Sequence, residues 1–343
     1  MTVLAVGIAA PVIAGEDAPF VGGGDAEDPA ASVDRQAPQV TETPTAEPTA
    51  ESTVKAWDYE PRVLVRSSHI KAKPKPDPEV LRARAEAKAE KAAAKKAASA
   101  PMAFRIGTFN VLGSQHTGPG GDRGNYASAS VRSAKAAGVI AKHGVDILGT
   151  QELQDDQLRD LQNRTGMAAY PGFAWGDKET DNSVFWDPGV FELVSGDQFT
   201  ITFMGRPRPQ PIVRLRHLAT GRELYVVNTH PSAHEGQYAV ERRNGQNTLV
   251  GVVRDLKSTG LPVLVTGDMN DREAFYCNVV PTAGLTAPNG GSYANGCQPP
   301  PSPIPVDWVV GSGAAWSDYW RDTSTTEQKI SDHFFISAHA TID

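Results

Sequence analysis

From Met102 to Asp343, short β-rich runs alternate with amphipathic helical stretches, and that alternation admits few architectures. Strands are predicted over Phe104 to Phe109, Asp146 to Thr150, Ser183 to Trp186, Pro211 to Arg216, Glu223 to Asn228, Pro262 to Thr266, Val306 to Val310 and Phe334 to Ala338. Helices are predicted near Ser130 to His143, Asp155 to Arg164 and Gln237 to Lys257. In the last of these, Tyr238, Val240, Leu249, Val252, Val253 and Leu256 supply the apolar positions, and Gly260-Leu261-Pro262 ends it. Strands interleaved with helices signal an α/β or α+β domain. No internal repeat is visible, so residues 102–343 read as one domain.

The first 101 residues lack this pattern. A length of 343 residues would suit two average domains, but this segment has too little apolar surface to build the second. Residues 1–15 open with the apolar run Val3 to Ala14 ahead of Glu16-Asp17 and resemble the core and cleavage region of a secretory signal peptide. Only Thr2 stands where a basic leader would be. The segment therefore reads as a truncated signal or anchor, and a secreted or cell-surface protein is expected. Residues 16–101 are expected to form a disordered linker. Up to 60 it is rich in Asp, Glu, Thr, Pro and Ala and cannot offset its ordering entropy by burial. From Arg62 it turns basic, and Glu79 to Ala98 is helical by propensity with only Val80 and Leu81 to pack. This basic stretch is either an attachment to an anionic polymer, nucleic acid or cell envelope, or a solvated spacer.

No apolar run reaches the roughly 18 residues of a membrane-spanning helix. Cys277 and Cys297 are too few for a disulfide-built scaffold or a multi-cysteine zinc site. Of the net charge of −7, residues 102–343 carry −5, from 20 basic and 25 acidic residues. A domain of that sign lacks the clustered Lys and Arg that hold phosphates by bulk electrostatics. Phosphate chemistry here calls for a metal ion.

The informative polar residues stand where predicted strands end: Phe109-Asn110-Val111, Gln151-Glu152, Asn228-Thr229-His230, Gly267-Asp268-Met269-Asn270, Asp307-Trp308-Val309 and Ser331-Asp332-His333. Polar groups gathered at strand ends are how open sheets build sites. The set holds carboxylates, amides and histidines, with no Ser or Cys nucleophile beside a base. That composition suits a hard divalent cation bound through oxygen, with histidines left for phosphate and protons.

These six motifs, in this order over 102–343, resemble the endonuclease/exonuclease/phosphatase superfamily. The resemblance implies a four-layer sandwich of two packed mixed β-sheets flanked by helices. It implies a divalent-metal-dependent phosphodiester hydrolase with Mg²⁺, or Mn²⁺ or Ca²⁺, held by Glu152 and Asn110 and completed by Asp332. Asp268 would orient or deprotonate the attacking water, with Asn270 beside it, their i, i+2 spacing on extended chain putting both on one side. His333 would contact the scissile phosphate, aligned by Asp307. His230 points to the two-histidine branch, which includes deoxyribonuclease I. Arg243-Asn244-Gly245-Gln246 resembles an R-x-x-Q element that braces the loop carrying this histidine, which makes Gln246 a supporting residue. The family's usual Ser-Asp-His-x-Pro is here Ser331-Asp332-His333-Phe334-Phe335. If the protein is exported, Cys277 and Cys297 are expected to be bonded; otherwise they are separate thiols.

The expectation is a monomeric extracytoplasmic nuclease acting on DNA or RNA. A phosphodiesterase or phosphatase for small or lipid phosphoesters, and a silent surface-binding module, are the alternatives. Specificity would lie in the loops Ser114 to Ala127, Pro171 to Thr180, Met204 to Pro211 and Thr286 to Pro305.

Overall fold

The computed structural model describes residues 75–176 and 180–343, so the expected signal segment and acidic linker lie outside the described residues. The first element, α1 (Pro78–Ala98), opens with the Asp77 carboxylate accepting from Glu79 N and buries none of its residues. Propensity alone builds such a helix, and it has no apolar stripe to cover.

The remaining elements are, in chain order, β1 (Met102–Asn110), α2 (Ala129–His143), β2 (Ile147–Gln151), α3 (Asp155–Thr165), β3 (Ala168–Tyr170), β4 (Ser183–Trp186), β5 (Phe191–Phe203), β6 (Arg206–His217), β7 (Glu223–Thr229), α4 (Gln237–Lys257), β8 (Val263–Asp268), α5 (Glu273–Val279), β9 (Asp307–Gly311), β10 (Ala315–Asp322), α6 (Ser324–Glu327) and β11 (Phe335–Ile342). One sheet runs β10-β11-β1-β2-β4-β3 and the other β5-β6-β7-β8-β9. Both are mixed. β1 and β2 pair in parallel through the crossover α2, and β7 and β8 through α4.

Period-2 alternation sorts the apolar side chains into three cores. Phe104 and Ile106 of β1, Ile147 of β2, Val226 of β7, Leu264 of β8 and Val309 of β9 meet between the sheets. Their neighbours point outward. Leu148 packs under Ile140 of α2 and Leu161 of α3, while Val265 and Trp308 pack under Leu249 of α4 and Phe275 of α5. The result is the expected four-layer sandwich, helices outside and two sheets face to face.

Three strands were not anticipated. β5 is exposed along most of its length, β3 has three residues, and β10 contains a bulge between Ser317 and Trp320. All three lie at sheet edges; β5 and β10 are exposed over half or more of their positions, and β3 is too short for alternation to show in the sequence. Met204 to Pro211, read as a loop, is the tip of a hairpin: Met204 and Gly205 turn with φ of 51° and 81°, and β6 has already begun at Arg206. Positive φ at both central residues is the turn geometry that matches strand twist. Cys277 and Cys297 are joined in a disulfide, with Cα atoms 5.5 Å apart.

One backbone position governs how closely the sheets approach. A Cβ on Gly149 of β2 would lie 2.0 Å from Thr266 Oγ1 and 2.6 Å from Asn228 Oδ1 in the facing sheet. Gly149→Ala should therefore lower the unfolding free energy by about 1–3 kcal/mol, the usual cost of overpacking, as measured by urea denaturation with the disulfide intact.

Candidate active site

The face that packs the sheets together becomes polar as the strands leave the sandwich. On β1 the inward series is Ile106, Thr108, Asn110; on β7 and the residue after it, Val226, Asn228, His230; on β8, Leu264, Thr266, Asp268. The middle members form a buried layer. Gln151 Nε2 donates to Asn228 Oδ1 (2.7 Å) and to Thr108 Oγ1 (3.1 Å), Thr266 Oγ1 donates to Asn228 Oδ1 (3.1 Å), and Asn228 Nδ2 donates to Thr150 O (2.7 Å). Satisfied on every side, this layer closes the hydrophobic core and carries the site on top of it.

Asp268, 1% exposed, is the hub. Its Oδ2 lies 3.1 Å from Asn110 Nδ2 and 3.5 Å from both His230 Nε2 and His333 Nε2. His333 Nδ1 is 2.9 Å from Asp307 Oδ1. The two histidines are held in opposite states. Burial pushes His230 down, and its Nδ1 has no hydrogen-bond partner among the described residues, which suits a neutral ring. Burial would lower His333 too, but Asp307 and Asp268 on either side raise it well above the ordinary value. Burial pushes Asp307 up to about 6; facing an imidazolium, it is the counter-ion near neutral pH. Environments that drive two like groups apart separate their roles.

Glu152, at φ 57° just past β2, faces the same space. Its Oε1 accepts from Asn110 Nδ2 at 2.9 Å, and its Oε2 lies 3.3 Å from Gly113 N and 3.4 Å from His116 Nε2. Burial works against its charge, but His116, His230 and Asn110 outweigh that and hold the carboxyl well below the usual range. In return Glu152, with Asp122, pushes His116 up to about 9.

Two carboxylates, Glu152 and Asp268, thus share one amide group and stand in a ring of three imidazoles. Oxygen donors so close together, balanced only by histidine charge, fit a hard divalent cation. A carboxylate oxygen from each of Asp268 and Asp307 and a ring nitrogen of His333 also lie within 4.8 Å of one another. There, however, the donors are spent on each other, since a cationic imidazole between two carboxylates has no lone pair for a metal. The Glu152 side is the better place.

The structure brings Asn110, Glu152, His230, Asp268, Asn270, Asp332 and His333 together around one cavity, with Asp307 behind His333. Three details, at Asn110, Asn270 and Gln246, differ from the sequence reading, and the partner of Asp332 is added to it. Asn110 presents its amide N–H₂ to the carboxylates, while its Oδ1 accepts from Leu112 N at 3.0 Å; it spaces Glu152 from Asp268 instead of offering a ligand oxygen. Asp332 is paired with Arg123, 3.3 Å away. Asn270 is not on extended chain: β8 ends at Asp268, Asn270 has φ 48°, its N donates to Asp268 Oδ1 (2.9 Å), and its Nδ2 donates to Pro231 O (3.1 Å). Gln246 does not reach the histidine loop. Its Nε2 donates to Asp271 at 3.1 Å, while Arg242, one turn earlier, donates to Ser232 O (3.0 Å) and His234 O (2.6 Å).

Other supports were not foreseen. Arg132, 1% exposed, donates to Val111 O at 2.7 Å and Ile330 O at 3.3 Å, tying the chain after Asn110 to the chain before His333. Ser331 Oγ repeats the tie, donating to Asn110 O at 2.6 Å. Gln210 Oε1 accepts from His230 N at 2.8 Å. Only Arg132 carried a signal: it shares the i, i+4 stripe of α2 with Ala136 and Ile140.

Carboxylates sharing one amide beside two histidines held in opposite charge states are a donor set suited to metal-dependent phosphoester hydrolysis. Residues 107–333 match the Endonuclease/Exonuclease/phosphatase family, and the chain belongs to that family. Among solved structures it is similar to an endonuclease/exonuclease/phosphatase family protein from Bacteroides thetaiotaomicron, at 19% identity and TM-score 0.52 over 71% of this chain and 96% of that one. It is similar to the human Nocturnin catalytic domain with bound sulfate (19%, TM-score 0.51, 69% and 94% covered) and to C. elegans TDP2 (18%, TM-score 0.52, 74% and 81% covered). At these identities the likeness is one of fold. No curated protein gives a significant sequence match.

A raised folded pKa means that the charge on His333 contributes stability fully below the unfolded value of roughly 6.5, a contribution lost as pH rises through the folded pKa. Removing the largest source of that rise reverses the balance. In the metal-free protein, imidazole NMR should show His333 protonated at pH 7 in the wild type and titrating at lower pH in Asp307→Asn; an unmoved titration would contradict the pairing.

Proposed function

We propose that the protein is an extracytoplasmic nuclease, a Mg²⁺-dependent hydrolase of phosphodiester bonds in DNA or RNA. The observation that carries this reading is the continuity of the groove. Three cavities of about 400, 560 and 610 Å³ adjoin one another. Phe203 and Arg208 are common to the first two, and Asn270 and His333 to the last two. A phosphodiester inside a chain must enter and leave its site on opposite sides, and the catalytic cluster sits mid-way along such a track. A small monoester needs only a closed pocket.

Each residue then has a task. The Asp268 carboxylate, fixed by Asn270 N and Asn110, orients and deprotonates the attacking water for in-line displacement at phosphorus. His333 donates to the phosphate oxygen on which charge develops, with Asp307 keeping it charged and aimed. Neutral His230 donates one hydrogen bond without adding charge. Glu152, with Asp332 nearby, would hold the cation, which when bound neutralises phosphate charge and polarises the bond to be broken. Export is supported by the Cys277–Cys297 disulfide, since such bonds persist in oxidising compartments. The cations of α1 are read as a contact to anionic polymer, and the catalytic domain as monomeric.

Plasmid nicking tests the reading. The wild type should cut with Mg²⁺ and stop with excess chelator. Glu152→Gln should lose about 10²-fold or more in kcat/KM, on the scale of removing one transition-state electrostatic contact, while its circular dichroism stays that of the wild type. Undiminished cutting by Glu152→Gln or in chelator would refute it.

A further inference from the structure

The third cavity, of about 610 Å³, opens beside His333 on the side away from the β5–β6 hairpin. One wall is apolar, made by Pro303, Ile304, Pro305 and Phe334. The rest of its lining includes two arginines, Arg272 and Arg321, together with Asp307 and Asp332. Arg208 is paired with Asp181, and Arg123 with Asp122 and Asp332. Arg272 and Arg321 have no acidic partner within 4.0 Å among the described residues. Each instead spends one donor on the proline loop: Arg272 Nε donates to Ile304 O at 3.0 Å, and Arg321 Nη1 donates to Pro303 O at 2.5 Å. A guanidinium has five N–H donors, so these bonds fix both heads at the cavity and leave most of their donors free, while the carboxylates that share the lining, Asp307 and Asp332, are paired with His333 and Arg123.

Arg321 also lies over the ring of Phe334, 5.4 Å from its centroid. Phe334 directly follows His333, so the distance from catalytic imidazole to guanidinium is set by a single residue step and one ring. In a domain whose sum is acidic, two cations without an ion-pair partner among the described residues, along one stretch of groove, mark a place for an anion.

We infer that this cavity is the subsite for the nucleotide unit adjoining the scissile phosphate. Its base and sugar lie against Phe334 and the Pro303–Pro305 wall, and the next phosphate of the strand is held by Arg272 and Arg321. The inference rests on the nuclease reading and adds a size requirement to it: the preferred substrate carries a second phosphate one nucleotide away. A single phosphodiester such as bis(4-nitrophenyl) phosphate reaches the catalytic cluster but leaves the subsite empty. Planar guanidinium forks match phosphate oxygens in pairs, and a ring beneath a base is sequence-tolerant, so the subsite measures strand, not sequence.

The test separates binding from chemistry. Anisotropy of a fluorescein-labelled single-stranded dodecamer, in EDTA, reads the subsite with no turnover. Arg272→Gln/Arg321→Gln should weaken binding about tenfold or more, the scale of losing charge-assisted hydrogen bonds. The slope of log affinity against log salt should shrink by about 0.7 for the one phosphate released. Arg321→Lys should recover part of the slope. In turnover with Mg²⁺, the ratio of kcat/KM for the dodecamer to that for bis(4-nitrophenyl) phosphate should fall about tenfold in the double variant. Wild-type affinity and slope in that variant would overturn the subsite, as would an equal loss on both substrates, which would mark the arginines as props for the proline loop. If the wild type hydrolyses neither substrate, the nuclease reading fails, and the EDTA binding experiment still decides the subsite.

Discussion

Everything in the domain hangs on the close approach of two sheets at Gly149. Because no side chain stands there, Asn228 of one sheet reaches across to Gln151 and Thr150 O of the other, with Thr266 and Thr108 bonding to the pair from their own sheets. This polar layer ends the inter-sheet core. Above it the same inward positions continue for one more step on β1, β7 and β8, and that step delivers Asn110, His230 and Asp268 to a common point. A strand contributes an inward side chain every second residue, so the register that buries Ile106, Val226 and Leu264 necessarily aims the site residues. Core and site are one pattern read at two depths, and a register slip would destroy both together.

What the sandwich assembles is an electrostatic arrangement that needs its own balancing. Glu152, Asp268 and Asp307 converge with three imidazoles, and burial alone would drive Glu152, Asp307 and the three histidines toward neutrality. The balance falls differently for each. His333 lies between two carboxylates and stays charged; His230 is more deeply enclosed, with no hydrogen-bond partner for its Nδ1 among the described residues, and stays neutral. His116 is supplied by the loop after β1 and lies against Glu152. A cation held by Glu152 would relieve the crowding that His116 otherwise offsets. The three histidines therefore do different physical work despite sharing one cavity.

The layered fold was legible because buried strands advertise themselves. β1, β2, β7, β8 and β9 are covered on both faces and read as apolar runs; the first four end in a polar motif found at the cavity, and β9, antiparallel to β8, begins with one. The strands β5 and β10 were illegible for the complementary reason that half or more of their positions are exposed, and β3 because three residues are too few to show a pattern. Site membership was readable from motif order, but orientation was not. Asn110 turns its N–H₂ inward because Leu112 N claims its oxygen, and Asn270 leaves the extended path because Asp268 Oδ1 captures its backbone N–H. These are local competitions for single hydrogen bonds. The supports were harder still. Arg132, Gln210 and Arg242 bind backbone carbonyls or amides, and a backbone partner leaves no trace in the residue types around it.

The hairpin that walls one end of the groove shows how a sheet edge can be used without becoming a liability. β6 pairs with β5 along its whole length, but β7 covers it only from Ile212 to Arg216. The uncovered stretch reads Arg206-Pro207-Arg208-Pro209-Gln210-Pro211. Prolines at every second position fall on one side of the ladder, and a sheet tolerates them only where no donor is needed. The free edge therefore offers no N–H to a passing strand, while the alternate positions stay available to pair with β5. Fixed φ at three residues also stiffens the segment. That stiffness has a use, since Gln210 sits between two of the prolines and its Oε1 accepts from both His230 N (2.8 Å) and Asn182 Nδ2 (3.2 Å). The same six residues thus cap an edge, present Arg206 and Arg208 to the groove, and hold the backbone of a site histidine in place.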